Sequence, residues 1–221
     1  MTTPKAILPL LVVFIGFFSS PADAQVNLKT GYNISFLSLP ETEQLITSYN
    51  ELQDYTSDFK TLTWLHGIEA GLRYKADVHG IELTYQGAYQ TLKATGLNGT
   101  EEYTDKMRFA LHSIALGYQA SDRRFGAGTD IQYQFYKVKF TPGQSTDVFR
   151  NTQNMLALKF YLMLTLPGHK GVDMALQPYY VLPFKTFDLN PLASHLQIEP
   201  SDQHDRWNRF GLTVLFYNGK K

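Results

Sequence analysis

The chain has 221 residues, no cysteine and a formal net charge of zero at neutral pH. Without cysteine there is neither a disulfide nor a thiolate metal site, and no charge run or basic excess invites nucleic acid. Aromatics are abundant, at 15 Phe and 14 Tyr, yet past the N-terminus no apolar run approaches the roughly 18 residues of a membrane helix.

At the N-terminus, Lys5 precedes an apolar run from Ala6 to Phe18, broken only by Pro9 and Gly16; Ser19, Ser20 and Pro21 follow, then Ala22-Asp23-Ala24. A charged start, an apolar stretch and an A-x-A site form the pattern of a secretory signal peptide. The expectation is a signal peptide over residues 1–24 and one domain over 25–221, beginning at Gln25. A membrane anchor is the alternative, but the run is short and no basic stop follows it. No cysteine follows the cleavage site to carry a lipid.

From there the chain alternates apolar and polar residues. A period of two places the two sets on opposite faces of a strand. The first predicted strand, about Asn27–Leu37, has Leu28, Tyr32, Ile34 and Phe36 on one face, and Asn27, Lys29, Asn33 and Ser35 on the other. The second, about Leu62–Lys75, sets Trp64, Ile68, Leu72 and Tyr74 against Glu69, Gly71, Arg73 and Lys75. The third, about Ile81–Leu92, sets Ile81, Leu83, Tyr85 and Tyr89 against Glu82, Thr84, Gln86 and Gln90. In the fourth, about Lys106–Tyr118, Phe109 and Leu111 have one parity while Ile114, Leu116 and Tyr118 have the other. A bulge near His112 would reconcile them.

The fifth strand, about Phe125–Phe140, has Ile131, Tyr133 and Phe135 opposite Asp130, Gln132 and Gln134. The sixth is the cleanest: Leu156, Leu158, Phe160, Leu162, Leu164 and Leu166 alternate with Ala157, Lys159, Tyr161, Met163 and Thr165. It is about 11 residues long, enough to cross a bilayer as a tilted strand. The seventh, about Val172–Leu182, contains Pro178, which cannot donate to the ladder and predicts a bulge or an unpaired position. The eighth, about Trp207–Tyr217, puts Phe210, Leu212, Val214 and Phe216 on one face.

The connections alternate: short at about 76–80, 119–124 and 167–171, long at about 38–61, 93–105, 141–153 and 183–206. An even strand number with this rhythm predicts an all-β fold: an eight-stranded antiparallel up-and-down transmembrane β-barrel with apolar faces outward. A soluble barrel of the lipocalin kind is the alternative, with the faces reversed. The ladder at 156–166 opposes that reading. So do aromatics near strand ends (Trp64, Tyr74, Tyr89, Tyr118, Tyr180, Trp207), which suit interfacial girdles.

Near the C-terminus, Arg209, Gly211, Val214 and Phe216 resemble the β-signal read by the outer-membrane barrel-assembly machinery, although Tyr217–Lys221 extend beyond the expected final aromatic. Together with the strand pattern, this makes the chain resemble small OmpA/OmpX-like outer-membrane β-barrel proteins, of the type common in Bacteroidota. That resemblance implies an integral place in a Gram-negative outer membrane, surrounded by lipid and lipopolysaccharide. It implies insertion by the barrel-assembly machinery and a monomer, and it implies no reaction.

The inward faces collect Lys29, Glu69, Arg73, Glu82, Asp130, Lys159 and Arg209. Eight strands enclose a space that side chains can fill, so a paired polar plug is expected; a narrow ion path is the alternative. In the first long connection, Ser38 and Glu41 read as a capping box. Leu45, Ile46, Tyr49 and Leu52 recur at helical spacing, predicting a short external helix within 39–55. It serves either as a lid over the mouth, packed on Phe184, Phe187 and Leu189, or as a surface for an external protein or ligand. The apolar loop at 183–206 either folds over the same mouth or meets lipopolysaccharide or a partner. Some small outer-membrane barrels modify lipid with a His/Ser pair, and this chain has His112-Ser113. Adjacent strand residues point to opposite faces, so the pair needs the bulge. No H-E-x-x-H, G-x-S-x-G or P-loop occurs. The expectation is a non-enzyme with no cofactor or metal; a lipid-modifying enzyme is the runner-up.

Overall fold

The computed structural model describes residues 25–166, 168, 172–199 and 203–218. The predicted signal peptide and most of the 167–171 turn lie outside these residues. Eight long strands make the wall: β1 Gln25–Leu37, β2 Trp64–Ala76, β3 His79–Asn98, β4 Glu101–Ser121, β5 Phe125–Thr141, β6 Phe149–Leu166, β7 Val172–Pro183 and β8 Arg209–Asn218. Each pairs antiparallel with its neighbour in sequence. β1 then pairs with β8, from Leu28↔Asn218 to Leu37↔Arg209, so the sheet closes on itself. Closure leaves no free edge.

The side-chain faces follow the alternation. Ile68, Ile131 and Leu162 are 62%, 61% and 64% exposed on the outside, while Lys29, Asp130 and Lys159 are buried inside. One end of the ring is the turn end, where β2–β3 and β4–β5 are joined tightly. Asp77 adopts a left-handed φ of 54° there, a conformation that aspartate tolerates better than most residues. The other end, which carries the long connections, is the mouth.

Several expectations are corrected. No bulge occurs near His112: β3, β4 and β5 pair without a register shift through Gly87↔His112 and His112↔Phe135. Phe109 and Leu111 simply point inward and are fully buried, because the interior near the mouth is apolar. The connection at 93–105 is not a loop. Its ladder continues from Leu92↔Met107 to Asn98↔Glu101, and Gly99, at φ 65°, makes a two-residue turn that glycine enters without steric cost. With 20 residues in β3 and about 9–11 needed to span, this hairpin rises well beyond the wall. The connection at 141–153 also shrinks, to 142–148, because β6 begins at Phe149.

At Pro178 the outcome is an unpaired position without a bulge. The β6–β7 ladder skips from Tyr161↔Tyr179 to Leu164↔Leu176 in one register. The first-loop helix α1 spans Pro40–Leu52, but Ser38 does not cap it: the N-cap position is Leu39, with no side-chain cap bond. A second short helix, α2, spans Asn190–His195 in the last connection.

Candidate functional site

Two different chemistries share the interior. Toward the turn end, β1 presents Lys29, β2 Glu69 and Arg73, β3 Glu82, β5 Asp130 and β6 Lys159, all inward and buried. Lys29 Nζ lies 2.6 Å from Glu82 Oε2 and 2.7 Å from Glu69 Oε1. Lys159 Nζ lies 3.6 Å from Glu69 Oε2 and 3.7 Å from Asp130 Oδ2. The five side chains form one chain across the lumen: Glu82, Lys29, Glu69, Lys159, Asp130. Neutral groups complete the cation shells, with Lys29 donating to Thr84 Oγ1 at 3.3 Å and Lys159 to Gln177 Oε1 at 3.2 Å.

The other two predicted lumen residues stand apart. Arg73 donates twice to Asn27 Oδ1, at 3.2 and 3.0 Å, and lies 3.7 Å from the centre of the Tyr217 ring. Arg209 is higher, donating to Tyr136 Oη at 3.0 Å and to Gln132 Oε1 at 3.3 Å. Tyr136 in turn hydrogen-bonds Gln134. Of the strand-eight motif, Arg209 and Gly211 face inward, while Val214 and Phe216 face outward.

Toward the mouth the inward residues become Leu65, Leu92, Met107, Phe109, Leu111, Val138, Phe140 and Met155. The external segments descend onto them. Leu45, Ile46 and Tyr49 of α1 join this core with Phe187, Leu189, Leu192 and Trp207 of the last connection. Tyr49 meets Phe140 edge-on at 5.6 Å, and Trp207 meets Tyr136 edge-on at 4.7 Å. Three expectations fail here. Leu52 and Phe184 are each 60% exposed and take no part. Trp207 is fully buried rather than interfacial, since it lies just before β8, where the chain turns into the mouth.

Two aspartates pin these segments. Asp205 accepts from the backbone N–H groups of Glu41 and Thr42, at 3.2 and 2.7 Å, and from Thr42 Oγ1 at 2.5 Å. A carboxylate from the last connection thus does the capping assigned to Ser38, at the positive end of the helix. Asp105 accepts from Tyr55 Oη at 2.5 Å and from the Gly143 N–H at 2.6 Å, joining the first connection and the 142–148 connection to the β3–β4 hairpin. Burial pushes the Tyr49 and Tyr55 phenols above their ordinary range, so Tyr55 remains a proton donor. Neither aspartate was visible as a pin from sequence, because each acts on residues far along the chain.

His112 and Ser113 are not brought together. His112 faces outward and shares a 2.7 Å hydrogen bond with Tyr85, whereas Ser113 is buried inside. His66 with Tyr32 and His79 with Tyr118 repeat that pairing on the outer wall, at 2.7 and 2.6 Å. Each ring thereby keeps a polar partner on an otherwise apolar face. Among the described residues no cluster of His, Asp and Glu is arranged to hold a metal, and no helix is long and apolar enough to cross a membrane.

Sequence reasoning missed one group altogether. Lys106 and Arg108 on β4, and Lys137 and Lys139 on β5, repeat at a spacing of two and so share one outer face. All four lie within the predicted strands, so the spacing was legible; their neighbours Lys93 and Arg150 fall outside those strands, and only the register of the sheet brings the group together.

An apolar outside, a charged inside and a closed antiparallel ring define a transmembrane β-barrel. No protein-family model and no curated protein matches the chain. Among solved structures it is similar to Ail, the attachment invasion locus protein of Yersinia pestis, at 12% identity and a TM-score of 0.47, over 89% of this chain and 97% of that one. It is also similar to Neisserial surface protein A, at 10% identity and 0.42, over 89% and 98%. A third is the outer membrane protease OmpT of Escherichia coli, at 10% identity and 0.40, over 89% and 96%. Likeness at this level carries no role from those proteins to this one.

Proposed function

We propose that this chain is an integral outer-membrane barrel with a closed lumen, acting through its external surface rather than by conduction or catalysis. The observation that carries the reading is the inverted wall: Leu28, Ile68, Leu83, Leu116, Ile131 and Leu162 are exposed around the ring while Lys29, Glu69 and Lys159 are buried within it. A soluble barrel would need the opposite arrangement. The N-terminal export pattern agrees, and a chain exported with this wall has the outer membrane as its destination. Its partners are then outer-membrane lipid and lipopolysaccharide, and the barrel-assembly machinery that reads the last strand.

The closed lumen rests on ion pairs below and packed apolar side chains above. A pore needs a continuous wet path, and eight strands leave an interior that side chains fill. The test has two arms. The folded protein should fractionate with the outer membrane and change its gel mobility on boiling. Reconstituted in planar bilayers it should give no steady conductance. Equal mobility boiled and unboiled would remove the barrel reading; regular single-channel steps would replace the plug with the minor pore.

A further inference from the structure

Beyond the wall's apolar band, the outer face of β3–β6 carries six cations near the mouth. Register assembles them. Lys93 opposes Lys106, Arg108 opposes Lys139, and Lys139 opposes Arg150 on its other side; Lys137 sits one step nearer the band. All point outward, five of them exposed and Lys139 half-buried. Arg108, Lys137, Lys139 and Arg150 line a shallow cavity of about 230 Å³ together with His112 and Thr152. No acidic side chain lines it. Among the described residues no ion pair joins any of the six to a carboxylate. Asp105, next to Lys106 on β4, turns inward and accepts from Tyr55 and Gly143; the acids Glu102 and Asp147 are exposed at the hairpin tip and in the 142–148 connection.

Like charges directly opposed across strands destabilise a sheet. Three in a row over β4, β5 and β6 gain only if an anion lies between them. The patch is also one-sided: near the mouth, β1, β7 and β8 turn Phe36, Tyr180, Leu182 and Phe210 outward instead. On the same faces Phe135 follows Lys137 directly, level with His112 and Asn154, and Tyr133, Ile114 and Leu156 form the row below that. The Arg108 guanidinium lies 4.8 Å from the centre of the exposed Tyr89 ring. Two residues separate Phe135 from Lys137 on β5, a rise of about 7 Å. The cations therefore stand at headgroup height above an aromatic and aliphatic wall.

We infer that this patch binds the phosphate groups of a phosphorylated lipid in the external leaflet. Arg108 and Arg150 suit bidentate contact with phosphate oxygens, while Lys137 and Lys139 act as point charges. The wall beneath takes the acyl chains. A free phosphate lacks that second half of the site, and an open cavity on a convex surface does not enclose it. The inference rests on the membrane reading proposed above, but its test is independent of cellular location.

The protein, refolded in zwitterionic detergent, is mixed with bisphosphorylated lipid A, with dephosphorylated lipid A or with inorganic phosphate, and retained lipid is counted by native mass spectrometry. Wild type should retain the phosphorylated lipid at least about tenfold better than the dephosphorylated one, and the variant R108Q/K139Q/R150Q should lose that preference. R108K/R150K, which keeps the charge, should recover part of it. K60Q/K185Q, with the changes off the patch, should bind like wild type. Equal retention by wild type and the folded triple variant overturns the site. So does equal retention of both lipids. Competition by inorganic phosphate at the lipid's own concentration overturns the lipid as occupant. Should the triple variant not fold, R150Q alone, at the exposed start of β6, must still lower retention. Failure to fractionate with the outer membrane would sink the location and leave this result standing.

Discussion

The two halves of the interior solve one problem in opposite ways. Near the turn end only the barrel's own strands supply side chains, and their charges pair across the interior: Glu82, Lys29, Glu69, Lys159, Asp130. Near the mouth the strands present Phe109, Leu111, Tyr136 and Phe140, and the filling comes from outside, through α1 and the last connection. Arg209 marks the border, held by Tyr136 and Gln132. The comparison separates barrel stability from loop stability. Charges near the turn end hold strand to strand, whereas apolar groups near the mouth hold the external segments to the wall.

The largest effect should come from the ionic half. Lys29→Met leaves Glu69 and Glu82 buried without their shared cation, and breaking a buried pair this way costs about 3–5 kcal/mol. Adding Glu82→Leu removes one stranded charge and should return much of that loss, since apolar replacements of buried pairs are often neutral. Urea unfolding in detergent micelles, followed by loss of the fast-migrating folded band, measures both. A single variant as stable as wild type would mean that the ion chain does not support the wall.

Next in size is a contrast across one strand rather than between halves. Leu162 faces outward at 64% exposure, while Met163 is buried beside Ala175, Leu215 and Tyr217. Leu162→Arg should cost about 2–4 kcal/mol at mid-bilayer depth in lipid vesicles, and much less in small micelles, where water reaches the guanidinium. Met163→Arg should destabilise by similar amounts in both, because it disrupts packing against Tyr217, whose hydroxyl lies 3.6 Å from Met163 Sδ. If Leu162→Arg folded in vesicles as well as wild type, the lipid-facing assignment of β6 would be wrong.

The same division explains what the sequence made legible. Strand number, face parity and all seven lumen residues could be read from a period of two, because in the ionic half polarity and direction coincide. In the mouth half they do not. Phe109 and Leu111 point inward although apolar, so parity alone suggested a bulge where there is none. The ends of the third and fourth strands fall short for a related reason: the β3–β4 hairpin continues past Leu92 and starts back before Lys106, where outward Lys93, Thr95, Glu102 and Thr104 alternate with Ala94, Gly96, Tyr103 and Asp105, and polar outward residues read as loop. Trp207, Asp105 and Asp205 depend on contacts between distant segments, for which one sequence holds no local signal.

The smallest effect tests whether the mouth segments are held separately from the barrel. Asp205 caps α1 with two backbone bonds and one to Thr42, while Ser38 makes no cap bond. Losing an N-cap side chain costs about 0.5–2 kcal/mol, and here that loss falls on the packing of α1 rather than on any barrel ladder. Asp205→Ala should therefore speed protease cleavage within residues 40–63 on intact cells severalfold, with the urea midpoint of the folded band unchanged. Ser38→Ala should leave both readouts as they are, within the roughly ±0.5 kcal/mol of an ordinary surface change. Should Asp205→Ala lower the midpoint of the whole barrel as Lys29→Met does, the two halves unfold as one unit, and the distinction between a wall held by charge and a mouth held by apolar packing is lost. Should Ser38→Ala release the segment instead, the capping box read from Ser38 and Glu41 operates after all, and Asp205 is an accessory contact.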